Sequence, residues 1–431
     1  TFYQSGSLTK LHTDLTQNLP LLKETGFNTV WIVLPWAWFD PRPLAVPHVY
    51  SESNFAVLEN ILALLKSNGM EVILPMEYFG KGWAPEGIIT CNWIASPTMY
   101  NAWSTYAQEF LTRISKYSDI ANILVYTEGS EPYPDADFPT HCPAGSPDMR
   151  VKQQYTAQLA ALLKPTLGNF PNQLPPSLRA KFRIGYHDYT LINWGWAGSN
   201  KDLSPIQEPN SFDFLSMVAY INDKSTPALI AEYQLRKSRF QDLYPNLPII
   251  VGESGSVSFC GGYSEENQAR ILSQLVNFGV GEKIGFNIWG WRQYFEDLTQ
   301  ECKSANPGLS LTHWDSTPKL AVAAIKKAIA NPIVISAAGL NTNYSPWVVW
   351  MKASQLRSDL AARLFFFFFQ WGGDIPITLS SDGTWLSFQL PQNRPPSCYI
   401  GASSCPIQIT IWDPTNSYES QPFNLNLPSA P

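Results

Sequence analysis

The chain has 431 residues, 45% of them hydrophobic and only 15% charged, enough for one large domain plus a small one around a sizeable core. Its formal net charge of −6, with no Lys/Arg cluster, argues against nucleic acid and anionic membranes as partners. No apolar run reaches the ~18 residues of a membrane helix, and even "LFFFFFQW" reads as a buried strand.

Taken in order, "TFYQS" is a candidate opening strand. "TDLTQNLPLLKETGF" is amphipathic and stops at Gly26, and "NTVWIVLPW" is the β-branched run of a buried parallel strand. Helix "SNFAVLENILALLKSNGM" stops at Gly69, followed by strand "EVILPMEYF", helix "TMYNAWSTYAQEFLTRISKYSD" and strand "NILVYTEG". Next come helix "MRVKQQYTAQLAALLKP", strands "KFRIGYHDY" and "DFLSMVAYI", and a helix near 226–241. Strand "LPIIVGES", helix "SEENQARILSQLVNFG", strand "IGFNIWGW" and helix "TPKLAVAAIKKAIA" complete the series. Eight β/α units in about 330 residues fit a (β/α)8 TIM barrel over residues 1–332. No GxGxxG or GxxxxGK[ST] loop supports the competing doubly wound sheet.

Helical periodicity ends at Asn331-Pro332. "PIVISAAG", "WVVWMKAS", "RLFFFFFQW", "TWLSFQLP" and "IQITIWDP" read as strands, and "SSDGTW" carries a hairpin signal. Residues 333–431 are therefore expected to form a small C-terminal all-β sandwich that packs on the barrel.

In such a barrel the chemistry lies at the C-terminal ends of the strands. The fourth strand ends in Glu128 or Glu131, the fifth in His187 and Asp188, the sixth in Tyr220, the seventh in Glu253, and the eighth in Trp289 and Trp291. Two carboxylates across a barrel mouth are what glycoside hydrolysis needs, one to protonate the leaving oxygen and one to attack the anomeric carbon. With 16 Trp and 19 Tyr, many in loops, the chain has aromatic faces that suit sugar rings as well as core packing. Trp36, Trp38, Glu77 and Tyr78 end strands two and three and are candidate subsite lining. His187 has no second or third metal ligand near it, so no metal or cofactor is expected.

"GFNTVWIVLPW", "GMEVILPMEYF", "PIIVGESG", a strand four ending in Glu and a strand eight ending in Trp together resemble the clan-A retaining glycoside hydrolases, the cellulase and mannanase-type barrels. The resemblance covers roughly residues 1–330. Many members read Tyr-Glu-x-x-Asn-Glu-Pro on strand four, and "YTEGSEP" sets Tyr126, Ser130, Glu131 and Pro132 on that frame. The resemblance implies Glu131 as acid/base and Glu253 as nucleophile, with Ser130, Tyr220, Trp289, Trp36 and His187 around the sugar. Ser130 replaces the usual Asn, and Trp31 stands where the cellulases often have Arg, which marks a divergent member.

Glu128 is the rival acid/base, since a Thr-Glu pair occurs at this point in some mannanase-type families. Strand parity prefers Glu131. It would share the inner face with small Val125, Thr127 and Gly129, whereas an inward Glu128 would bring Leu124 and Tyr126 into the barrel.

The six cysteines lack a CxxC pair and sit in loop-like context, which suits three disulfides and an oxidising compartment. Loop order suggests Cys91–Cys142, Cys260–Cys302 and Cys398–Cys405. A chain that starts at Thr1 without Met reads as a mature or trimmed form. The expectation is a secreted retaining β-glycosidase acting on a carbohydrate, a plant or microbial polysaccharide or oligosaccharide. The alternative is a carbohydrate-binding barrel that has lost activity.

Overall fold

Eight strands form one sheet in strictly sequential order, every adjacent pair parallel. They are β1 (Phe2–Tyr3), β2 (Thr29–Ile32), β3 (Glu71–Pro75), β4 (Ala121–Val125), β5 (Arg183–Asp188), β6 (Phe214–Tyr220), β7 (Ile249–Gly255) and β8 (Gly285–Ile288). β8 returns beside β2, so the sheet curls into a barrel. The computed structural model describes residues 2–3, 7–76, 85–87, 97–125, 175–188, 213–220, 234, 237–238, 241, 245–288, 290–293, 296–303, 308–333, 335–341, 348–366, 369–391, 404–414, 418–420 and 423–428. Parallel pairing needs a crossover for each strand. Among the described residues these include helices α1 (Leu8–Thr25), α2 (Glu52–Ser67), α3 (Pro97–Ile114), α4 (Pro176–Arg179), α5 (Glu265–Glu282), α6 (Leu298–Glu301) and α7 (Leu320–Ala330). The expected helix over 149–165 lies outside the described residues.

Local signals account for the helix ends. Ser7 caps α1 by accepting from the Lys10 N–H, and Leu8, Leu11, Leu15, Leu19 and Leu22 form one buried stripe. Burying each of these leucines contributes about 2 kcal/mol. Gly26 ends α1 at φ 100°, and an added Cβ would lie 3.0 Å from the Ile329 side chain, so the residue is fixed both by conformation and by packing.

The sidedness of the strands matters most for the site. Val30, Ile32, Val72, Leu74, Ile123, Ile184, Leu215, Met217 and Val251 belong to the large core beneath the helices. Trp31, Ile73, Leu124 and Phe214 form a separate cluster with Ile250 packed on it, and these side chains fill the barrel. Gly185 leaves room for the Phe214 ring, which would lie 2.2 Å from any Cβ there.

Beyond α7 the chain forms two antiparallel sheets. One has the order β13 (Thr378–Leu379), β14 (Trp385–Gln389), β10 (Val348–Ala353), β9 (Ile335–Asn341). The other runs β12 (Phe369–Pro376), β11 (Ala361–Phe366), β15 (Ser404–Asp413), β16 (Tyr418–Glu419), with β17 (Phe423–Pro428) also on β15. The phenylalanine run corrects the single strand expected from sequence. It folds back on itself as a hairpin, with Phe366 opposite Phe369. Five identical residues carry no turn signal; outside the run, Arg363 on β11 meets Asp374 on β12.

The sheets join the barrel through buried charge. Glu419 on β16 is fully buried against α5, where it meets Arg270 and Gln274, and its carbonyl accepts from Asn277 Nδ2 at 2.9 Å. Asp413 on β15 is buried between Lys327 of α7 and Arg357, each 2.6 Å away.

Candidate active site

The carboxyl group of Glu253 is buried at the C-terminal end of β7, and a bulge decides which way it points. Plain alternation from Ile250, an inner residue, would send position 253 outward. The register, however, runs Met217 to Val251 and then Val218 to Glu253, skipping Gly252. The other neighbour agrees, since Val251 pairs with Phe286 and the next partners are Ser254 and Ile288. Gly252 is thus an extra residue, and the bulge returns position 253 to the inner face that Phe214 and Ser216 define on β6. Asn287 clasps this bulge. Its Nδ2 donates to the Gly252 carbonyl at 3.0 Å, and its own carbonyl accepts from Ser254 Oγ at 3.0 Å. Glu253 itself is 2% exposed.

Past Glu253 the chain enters a buried junction. Segment 308–312 lies between the continuation of β7 and that of β8. Ser258 donates to the Gly308 carbonyl from both its N–H (3.0 Å) and its Oγ (2.9 Å). On the other side Leu311 N donates to the Gly290 carbonyl and Thr312 N to that of Trp291. Gln268 of α5 donates through Nε2 to the Ser256 carbonyl at 2.8 Å and reaches the carbonyls of Gly308, Leu309 and Ser310. Lys319 closes the junction, with Nζ 3.0 Å from Ser258 Oγ and 2.9 Å from both Ser310 oxygens. Burial pushes the Lys319 ammonium down to about 8, against the opposing pull of Glu265 and Glu301. A disulfide between Cys260 and Cys302, Cα atoms 5.4 Å apart, ties the loop after β7 to the one after β8 as the loop order suggests. Gly308, at φ +65°, sits against that sulfur, 3.2 Å from where an added Cβ would lie.

The loop after β2 is held differently. Asp40 is completely buried and bonded to His48 Nδ1 at 2.8 Å; burial raises its pKa, opposed by His48 and Trp36.

Trp36 corrects one expectation. It is completely buried and stacks on Tyr106 of α3, with ring centroids 5.4 Å apart, so it supports the loop and offers no face to a sugar. Trp291 likewise packs edge-on against Phe27 in the helix layer. Trp31 fills the barrel, so the position where the cellulases often have Arg is apolar here. Tyr220 pairs in register with Gly255 and His187 with Ser216, placing both at the strand ends expected of them. Glu77, Tyr78, Cys91, Glu128, Ser130, Glu131, Cys142, Trp289 and Cys398 lie outside the described residues. Cys405 is paired with Leu427 in β15.

On β4 the inner face differs from the one expected from side-chain size. Leu124 is the inner residue of β4, where an inward Glu131 by plain alternation would have kept it outside. Continued alternation would bring positions 126 and 128 inward, and one bulge like that at Gly252 would bring 131 inward instead. Sequence reasoning also missed the bulge, Asn287 and the Lys319–Gln268 junction. Nothing in the helix stretch "TPKLAVAAIKKAIA" marks Lys319 as a buried lysine. Among the described residues no three His, Cys, Asp or Glu side chains converge as a metal site would require, and no helix is long and apolar enough to cross a membrane.

No family model matches the chain, and no curated protein matches it. Solved structures do match, at low sequence identity. An exo-β-1,4-mannosidase from Opitutaceae bacterium strain TAV5 is 15% identical, with a TM-score of 0.52 over 77% of this chain and 58% of the mannosidase. The GH5_18 enzyme from Streptomyces cattleya, solved in complex with GlcNAc, is 13% identical, with a TM-score of 0.53 over 75% of each chain. The endo-β-1,4-mannanase from Thermotoga petrophila is 9% identical, with a TM-score of 0.51, and the match covers 99% of this chain and 96% of that one. The fold is therefore the TIM barrel seen in these glycoside hydrolases, and in this chain antiparallel sheets follow it.

Proposed function

We propose that the chain is a divergent member of the clan-A glycoside hydrolases, a retaining β-glycoside hydrolase that cleaves a polysaccharide or oligosaccharide by double displacement. The observation that carries this reading is Glu253, a buried carboxylic residue turned inward by the Gly252 bulge at the C-terminal end of β7. Glu253 attacks the anomeric carbon and forms a glycosyl-enzyme, while a strand-four glutamate, Glu128 or Glu131, protonates the leaving oxygen. Water activated by that same glutamate then hydrolyses the intermediate and regenerates both carboxyls. Tyr220, His187, Ser130 and Trp289 are assigned to binding the sugar, and no cofactor enters the chemistry. The barrel (1–332) is the catalytic domain and residues 333–431 are a packing domain. The Cys260–Cys302 disulfide supports an extracellular setting.

The test is turnover. Purified protein is assayed on 4-nitrophenyl β-glycosides and on β-mannan, β-glucan and xylan with product sizing; β-mannosides come first because two of the similar structures are named for them. Retention is read from the anomer released, by proton NMR at early times. Binding of a polymer without any hydrolysis would favour the inactive-barrel alternative.

A further inference from the structure

We propose that Lys319 is a positioning residue for the active site: it fixes the strand that carries Glu253 and the extension of β8 at Gly290 and Trp291 in one mutual geometry. The inference rests on the glycosidase reading above.

Three features separate Lys319 from an ordinary buried lysine. First, its ammonium is almost completely buried, yet its three close partners are the neutral oxygens of Ser258 and Ser310. A buried ammonium is costly unless its donors are all satisfied in good geometry. Three donors and three oxygens at 2.9 to 3.0 Å meet that condition. The Phe259 ring, with its centroid 4.8 Å from Nζ, adds a cation–π contact.

Second, the partners lie on the two strand continuations that matter. Ser258 is five positions beyond Glu253 on the extension of β7. Ser310 belongs to the segment that pairs with the extension of β8, where Leu311 N binds the carbonyl of Gly290, the residue after Trp289. Gly290 has φ +79°, and an added Cβ would lie 3.2 Å from Ser310 Cα, so this contact is close on both sides. Lys319 therefore bridges the nucleophile's strand to the extension of β8.

Third, the bridge is anchored from outside. Lys319 precedes α7; its own N–H donates to the Leu311 carbonyl, and Leu320 N donates to Glu265 at the start of α5. A displacement of the ammonium would be felt by both strand ends together. Misplacement of a reacting group by about 1 Å can cost on the order of 100-fold in rate.

The experiment compares three full-length variants with wild type on whichever 4-nitrophenyl β-glycoside the wild type hydrolyses fastest. Lys319→Met keeps the stem and removes the donors. Ser310→Ala removes one partner oxygen and covers the case in which Lys319→Met fails to fold. Lys327→Met removes a different lysine of the α7 region, partner to buried Asp413, and is the control for stability loss alone. All assays are run well below each variant's melting temperature, with folding checked by circular dichroism. The expected result is a roughly 10- to 100-fold fall in kcat for Lys319→Met and a smaller fall for Ser310→Ala, with KM within about twofold of wild type. Lys327→Met loses stability but keeps kcat. Wild-type kcat in folded Lys319→Met, or in folded Ser310→Ala if Lys319→Met does not fold, would overturn the positioning role. So would an equal loss of kcat in Lys327→Met. An inactive wild type across the whole panel would overturn the glycosidase reading, and this inference with it.

Discussion

Val218 on β6 pairs with Glu253 on β7, where an unbroken register would have given it Gly252. That one-residue slip turns the carboxylic residue into the barrel. The bulge is held by Asn287, whose Nδ2 binds the Gly252 carbonyl. Replacing Asn287 with Leu leaves that carbonyl without its donor in a buried place, at a cost of about 1–3 kcal/mol. Stability should fall by that amount in denaturant titration. Turnover should fall further than stability explains, because the bulge is what orients Glu253. Activity per folded molecule equal to wild type would show that the bulge holds without Asn287.

Glu419 and Asp413 make the joint between the barrel and the C-terminal sheets a charged one. Removing one partner of a buried pair leaves the other charge uncompensated, typically at a cost of about 3–5 kcal/mol. Lys327→Met strips Asp413 of one of its two cations and should cost less than that, since Arg357 remains. Glu419→Ala should approach the full figure, because Arg270 and Gln274 lose the same partner. Chemical denaturation of each variant, with intrinsic tryptophan fluorescence as the readout, measures both. Equal midpoints for wild type and Glu419→Ala would mean that the joint is held by apolar contacts alone.

Lys319 also predicts a pH dependence whose sign can be worked out. Its folded pKa is pushed down to about 8 from 10.5. Between those values the unfolded chain binds a proton that the folded protein has released, so stability rises with pH. A fall of that size corresponds to about 3 kcal/mol at most. Wild type should therefore gain stability relative to Lys319→Met as pH goes from 8 to 10.5, and the difference should be flat below pH 7.5. Parallel curves across the whole range would show that the Lys319 ammonium is not desolvated in solution.

The barrel was legible because the crossovers repeat the same two signals, an apolar run and an amphipathic helix, and glycine closes the first two helices. Gly26 and Gly69 both carry positive φ where the sequence expects helix stops. The side-chain faces were less legible. Parity on β4 was argued from side-chain size, and the structure fills the barrel with Trp31, Leu124 and Phe214, making room through Gly185. An inner layer can be built from bulky residues if a neighbour is glycine, and that compensation is not visible one strand at a time. The Phe366–Phe369 hairpin and the Gly252 bulge share a cause. Each involves pairing with another strand; the phenylalanine run has no local turn residue, whereas Gly252 is itself the kind of strand glycine that signals a bulge.

The remaining question is which strand-four glutamate works with Glu253. With Leu124 inward, unbroken alternation favours Glu128, whereas the "YTEGSEP" frame favours Glu131 and needs one bulge beyond Val125. Replacing Glu253 with Ala should abolish turnover of every substrate, since no glycosyl-enzyme forms. Replacing the true acid/base with Ala should cost roughly 10²- to 10⁴-fold on substrates with poor leaving groups. Activated aryl glycosides need little proton donation, so the first step should survive on them and the second should stall for want of a base. Azide, which needs no base to attack, should then restore turnover and release a β-glycosyl azide. The other glutamate, replaced by Ala, should keep its pH profile and show no azide product. Rescue of Glu128→Ala alone would establish plain alternation through the end of β4. Rescue of Glu131→Ala alone would establish a second bulge, matching the one at Gly252. The carboxyl group so identified should lie ~5–5.5 Å from that of Glu253, since a retaining pair leaves no room for a water between them. Rescue of neither variant would count against double displacement altogether.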